Sequence, residues 1–153
     1  MVNRKEKEKQ KTRVTEIFGF EKRAEQELPL FLANVPAGFP SPADDYIDRK
    51  LDLNEFLVKH PAATFFVRVE GESMTGAGIH SGDILIVDRA LEPADRKIVI
   101  ANVNGDLTVK RIRQIKNKLY LAAENPDFDS IEINEEEGLT IWGVVTCVLH
   151  QLT

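Results

Sequence analysis

The chain has 153 residues, 42% of them hydrophobic and 29% charged, which suffices for one domain with a real core plus an appendage. A net charge of −5 argues against a globally basic nucleic-acid binder, and one cysteine, Cys147, cannot form an intrachain disulfide. No apolar run approaches the ~18 residues of a membrane span and the charged N-terminus lacks a signal-peptide core, so a soluble, cytoplasmic protein is expected.

Residues 1–13 carry six basic side chains (Arg4, Lys5, Lys7, Lys9, Lys11, Arg13) and two acids (Glu6, Glu8). Nothing in this run is expected to be buried. It reads as a solvated tail or, more sharply, as a weak nucleic-acid contact. From Val14 to Asn34 the apolar residues are scattered, and Gly19 and Pro29 are expected to interrupt any regular element. The stretch suggests an arm that packs on something else. It is too short and too broken for the shared core of a helix-turn-helix.

Between Val35 and Tyr46 stand Pro36, Pro40 and Pro42, which keep the chain extended and out of helix. Ala37-Gly38 is a small-small pair in that stretch. It is either plain linker or a peptide bond that active-site walls can approach closely. Asp52, with Glu55 three residues later, matches a capping box, and a short helix over 53–58 is expected before Pro61.

From Ala63 onward the pattern is β. Apolar residues alternate at Phe65, Val67 and Val69, and Ile84-Leu85-Ile86-Val87 suits a strand buried on both faces. Asn104-Gly105 between two apolar runs signals a hairpin joining strands near 98–103 and 107–112. Further strands are expected at 118–123, 130–133 and 141–150. About seven short strands at regular spacing predict a mainly β, compact domain over 63–153, in the manner of a partly closed barrel.

Ser73 lies in Gly71-Glu72-Ser73-Met74, between a strand and a glycine-rich loop. That is the setting of a turn serine and equally of a nucleophile held still by its strand. The histidines His60, His80 and His150 show no orienting pattern for a triad, and no ligand spacing points to a metal or other cofactor. The remaining base is a lysine. Lys110 follows the hairpin, and period two puts it on one face with Thr108 and Ile112. An exposed lysine is neutral in only roughly 4 of 10,000 molecules at neutral pH, whereas burial lowers its pKa and makes it a usable base. Cys147 reads as a buried structural thiol.

Taken together, Ala37-Gly38-Phe39-Pro40-Ser41-Pro42-Ala43-Asp44-Asp45-Tyr46, Gly71-Glu72-Ser73-Met74, the run from Gly82 to Asp88 and Thr108-Val109-Lys110-Arg111 resemble the UmuD proteins of the LexA-like self-cleaving peptidase family. The resemblance runs from about Val35 to the C-terminus, and Lys110 follows Ser73 by 37 residues, as the family's lysine follows its serine. It implies a Ser-Lys dyad, Ser73 as nucleophile and Lys110 as general base, cutting the chain's own Ala37-Gly38 bond. By analogy the N–H groups of Glu72 and Ser73 serve as oxyanion donors. It also implies a removable arm over 1–37, a linker and short helix over 38–62, and a catalytic domain over 63–153. The implied partners are a second copy of the chain, the RecA filament on single-stranded DNA and a UmuC-type translesion polymerase in the SOS response. Pro36 beside the bond and the long basic N-terminus depart from the expected pattern. A LexA-type repressor and a non-catalytic polymerase-binding module are the alternatives.

Overall fold

The computed structural model describes residues 11–21, 27–31, 47–134 and 139–153, with the backbone alone at 27–31 and 47–50. Its strands are β1 (Arg13–Gly19), β2 (Glu27–Phe31), β3 (Ile47–Asp52), β4 (Thr64–Glu70), β5 (Ile84–Asp88), β6 (Ile98–Val103), β7 (Asp106–Ile115), β8 (Lys118–Ala122), β9 (Ile131–Glu132) and β10 (Leu139–Leu149). One short helix, α1 (Leu53–Leu57), follows β3.

The fold is mainly β, as the alternation predicts. Eight strands form one sheet in the order β1-β4-β5-β10-β6-β7-β8-β9, and β1 also pairs with β7. That extra pairing closes a ring through β1, β4, β5, β10, β6 and β7, which makes the sheet barrel-like. β5 runs between β4 and β10, and its residues Leu85, Ile86, Val87 and Asp88 are all buried, as its continuous apolar run requires.

Strand β7 divides two apolar clusters. Val109 joins Val67, Val69, Met74, Ile79, Leu85, Val87 and Ile100, while Ile112 joins Val99, Ala101, Leu121 and Val144. The β6–β7 hairpin turns through Asn104 and Gly105 at φ 52° and 91°, the left-handed pair that Asn-Gly favours. The β7–β8 hairpin turns through Lys116 and Asn117, also at positive φ, a turn that this dipeptide does not advertise.

Asp52 caps α1 by accepting hydrogen bonds from the N–H groups of Asn54 and Glu55. Three expectations upstream need correction. Gly19 and Pro29 do not prevent regular structure: β1 ends at Gly19, and β2 carries Pro29 in a two-stranded sheet, where a missing donor is tolerated. Residues 47–52 are not linker but β3, antiparallel to β2 with Phe31 opposite Ile47. Within the basic run, Thr12 is fully buried. The small-small bond Ala37-Gly38 lies outside the described residues, in the connection between the paired ends Phe31 and Ile47. Among the described residues, no helix is long and apolar enough to cross a membrane.

Candidate active site

Ser73 follows β4 across Gly71, whose φ of +112° turns the chain away from the strand. Met74, beside it, is fully buried in the first apolar cluster and anchors the loop. The loop is clamped from the side of β8. Glu124 N–H donates to the Ser73 carbonyl at 2.9 Å and the Asn125 side chain donates to the Glu72 carbonyl at 2.9 Å. Gly76 N–H returns a bond to the Glu124 carbonyl at 2.7 Å. Both carbonyls are thereby fixed on one side. Among the described residues, neither the Glu72 nor the Ser73 N–H is taken up by these bonds, which suits them to receive an oxyanion.

Lys110 lies on β7, paired with Val99 of β6. It is 1% exposed, and Ser73 is wholly buried. Burial holds the lysine's pKa below its ordinary value, and the nearby charge of Lys11 lowers it further. Its neighbour Arg111 ion-pairs with Glu124, the residue that clamps Ser73. One link therefore runs from the strand of the candidate base to the loop of the candidate nucleophile.

Backbone supplies a second link. Thr12 N–H donates to Ser73 Oγ at 2.7 Å, and the Thr12 carbonyl accepts from Val109 N–H at 3.2 Å. The described hydrogen-bond partner of Ser73 Oγ is thus Thr12 rather than Lys110. A Cβ on Gly71 would stand 2.5 Å from the Lys11 carbonyl oxygen, so only glycine lets this segment lie so close.

The histidines are occupied elsewhere. His60 Nδ1 is 2.6 Å from Asp88 and His150 Nδ1 is 2.5 Å from Asp83, both aspartates being buried. His80 packs its ring 5.3 Å from that of His150, and its N–H donates to Asp83. Among the described residues, no histidine is a hydrogen-bond partner of Ser73, so a serine–histidine triad has no geometry here. Cys147, expected in the core, is only half buried, beside a bulge of β10.

The structure buries both expected residues, Ser73 and Lys110, and adds Thr12, Glu124 and Asn125, which the sequence does not signal. Thr12 and Glu124 reach Ser73 through backbone groups, which side-chain identity does not reveal. Chemically, a buried serine next to the strand of a buried lysine whose pKa is lowered suits proton abstraction and acyl transfer.

The chain's relatives fit that chemistry. The family model Peptidase S24-like matches residues 29–146. The chain is 48% identical over 123 residues to Protein SamA of Salmonella typhimurium strain LT2, covering 80% of this chain and 85% of that protein. It is 46% identical over 124 residues to Protein ImpA of Escherichia coli, covering 80% and 83% respectively. It is 43% identical over 120 residues to Protein MucA of Escherichia coli, covering 78% and 82%.

Proposed function

The chain belongs to the Peptidase S24-like family and is UmuD-like in function, a protein of SOS mutagenesis, and on that premise we propose that Ser73 and Lys110 form the dyad that cuts its own Ala37-Gly38 bond. Neutral Lys110 takes the Ser73 Oγ proton, and Oγ attacks the Ala37 carbonyl carbon. The oxyanion is received by the N–H groups of Glu72 and Ser73, and the Gly38 amine leaves with the proton. Water then releases the acyl group and regenerates Ser73. Residues 1–37 are the part removed, residues 38–62 carry the linker, β3 and α1, and residues 63–153 form the catalytic domain.

The observation that carries this reading is Lys110 itself. A lysine at 1% exposure is costly to bury charged, and its pKa is lowered accordingly. That cost has a return if the neutral amine serves as a base next to the clamped Ser73 loop.

RecA on single-stranded DNA stimulates the cut in this reading. The shortened chain then acts in the cytoplasm as a homodimer with a UmuC-type translesion polymerase. A LexA-type repressor is disfavoured because residues 13–19 form a strand of the barrel rather than a DNA-reading helix.

The test is self-cleavage of the purified protein at mildly alkaline pH, with and without RecA, ATP and single-stranded DNA. A new N-terminus at Gly38 is expected, and Ser73→Ala and Lys110→Ala should each slow its appearance at least a hundredfold. Cutting at the same bond in both variants would sink the dyad. No cutting under any condition would favour the binding-module reading.

A further inference from the structure

The segment that fills the space at Ser73 is not the one proposed for cleavage. We propose that the seam between β4 and β7 beside Ser73 is a strand-docking groove whose resident occupant is this chain's own residues 12–19, held there as an uncut pseudosubstrate that excludes the Ala37-Gly38 segment. The inference rests on the reading of Ser73 as the nucleophile and adds what controls access to it.

Occupancy is built from several bonds. β1 runs antiparallel to β4, with Arg13 opposite Glu70, Val14 opposite Val69, Ile17 opposite Val67 and Gly19 opposite Phe65. Across the seam Arg13 stands opposite Thr108, and Thr12 accepts from Val109 N–H at 3.2 Å. Thr12 is fully buried and Val14 packs against the first apolar cluster. This is recognition by strand addition, in which main-chain bonds supply the affinity and alternate side chains the fit.

The occupant presents the wrong group for reaction. Ser73 Oγ must aim a lone pair at a carbonyl carbon, yet it accepts the Thr12 N–H at 2.7 Å. The preceding carbonyl, that of Lys11, packs on Gly71. With one of its two lone pairs engaged by that amide and the Thr12 backbone lying against it, Oγ is a hindered nucleophile. No second peptide segment can occupy the same space, so the Ala37-Gly38 bond reaches Ser73 only after residues 11–13 withdraw.

The occupant is also poised to leave. The hydroxyl of Thr12 is buried without a hydrogen-bond partner, which costs docking free energy that a methyl group would not. Ile17 and Phe18 remain 50% and 40% exposed, so the outer part of β1 buries little. β1 also precedes the stretch 29–146 that matches the family model, so the blocking strand lies outside the matched peptidase region.

Three full-length variants test the proposal. Thr12→Pro removes the N–H aimed at Ser73, Val14→Glu opposes docking, and Thr12→Val keeps the N–H while removing the unpaired hydroxyl. Two readouts are taken on intact chains: hydrogen exchange over 64–70 and 107–111, and the rate at which an N-terminus at Gly38 appears. Thr12→Pro and Val14→Glu should exchange faster and cleave at least fivefold faster than the parent, and Thr12→Val should cleave at least twofold slower. Unchanged exchange and rates would overturn the proposal. Faster exchange with slower cleavage would also overturn it, since β1 would then support the site rather than block it. A new N-terminus at Thr12 in the parent would make the segment a substrate and overturn it as well. Faster exchange without a Gly38 end in any chain would leave the docking groove standing and remove the self-cleavage reading instead.

Discussion

At the scale of single residues, Lys110 joins function to stability. Its pKa is lowered in the folded chain by burial first and by Lys11 second, while in the unfolded chain it returns to its ordinary value. Between those two pKa values the unfolded chain binds the extra proton, so the stability of the parent rises with pH across that window. Lys110→Met, which removes the buried charge, should therefore be more stable than the parent at neutral pH. The gain should be largest below the folded pKa and vanish above the ordinary lysine value. Thermal unfolding at several pH values reads this, at roughly 2–4 °C per kcal/mol for a chain of this size. In the parent, the self-cleavage rate should climb with pH toward a plateau whose midpoint lies below that of an ordinary lysine. A midpoint at the ordinary value would mean that burial does not tune the base. Ser73 and Lys110, the two residues of the proposed dyad, stand out in the sequence because their cues are side-chain identity, strand period and spacing. Thr12 does not, because its part is played by an N–H that every residue but proline has.

At the scale of elements, the geometry of the candidate site depends on strands far apart in sequence. Arg111 on β7 holds Glu124, and Glu124 holds the Ser73 loop. The pair is partly exposed, at 25% and 34%, so its loss should cost under about 1 kcal/mol of stability. Arg111→Ala should nonetheless slow self-cleavage roughly tenfold, because a small displacement of a nucleophile is expensive in rate. Equal losses in rate and in folded fraction, measured by urea titration, would reduce Arg111 to an ordinary structural residue. At α1, Asp52→Ala should cost about 0.5–2 kcal/mol through the lost cap, without altering the pH profile of cleavage. The seven strands from β4 to β10 could be read from alternation and the Asn-Gly turn. β1, β2 and β3 escaped because their pairing is long-range: Arg13 meets Glu70 and Phe31 meets Ile47. A local pattern containing Gly19 or Pro29 carries no trace of such partners.

At the scale of the whole molecule, two buried carboxylates tie the barrel to its ends. Asp83 gathers the loop at His80 and the C-terminal His150, and Asp88 holds His60 ahead of β4. Asp83→Ala removes the acceptor of the part-buried His80 N–H and should destabilise the fold by about 0.5–1.5 kcal/mol, read from the shift in urea midpoint. The barrel itself is closed by β1, which pairs with both β4 and β7. That closing strand lies on the N-terminal side of Ala37-Gly38. While the chain is whole, a tether keeps β1 near its groove at an effective concentration on the order of millimolar. Under the proposed cut at Ala37-Gly38, β1 would become an ordinary peptide ligand, and rebinding would depend on how much of it is free. At low copy number it would diffuse away, leaving the edges of β4 and β7 that β1 now pairs with open to another strand. In that proposal the cut works like removing a keystone: one hydrolysed bond would turn a self-satisfied barrel into an acceptor.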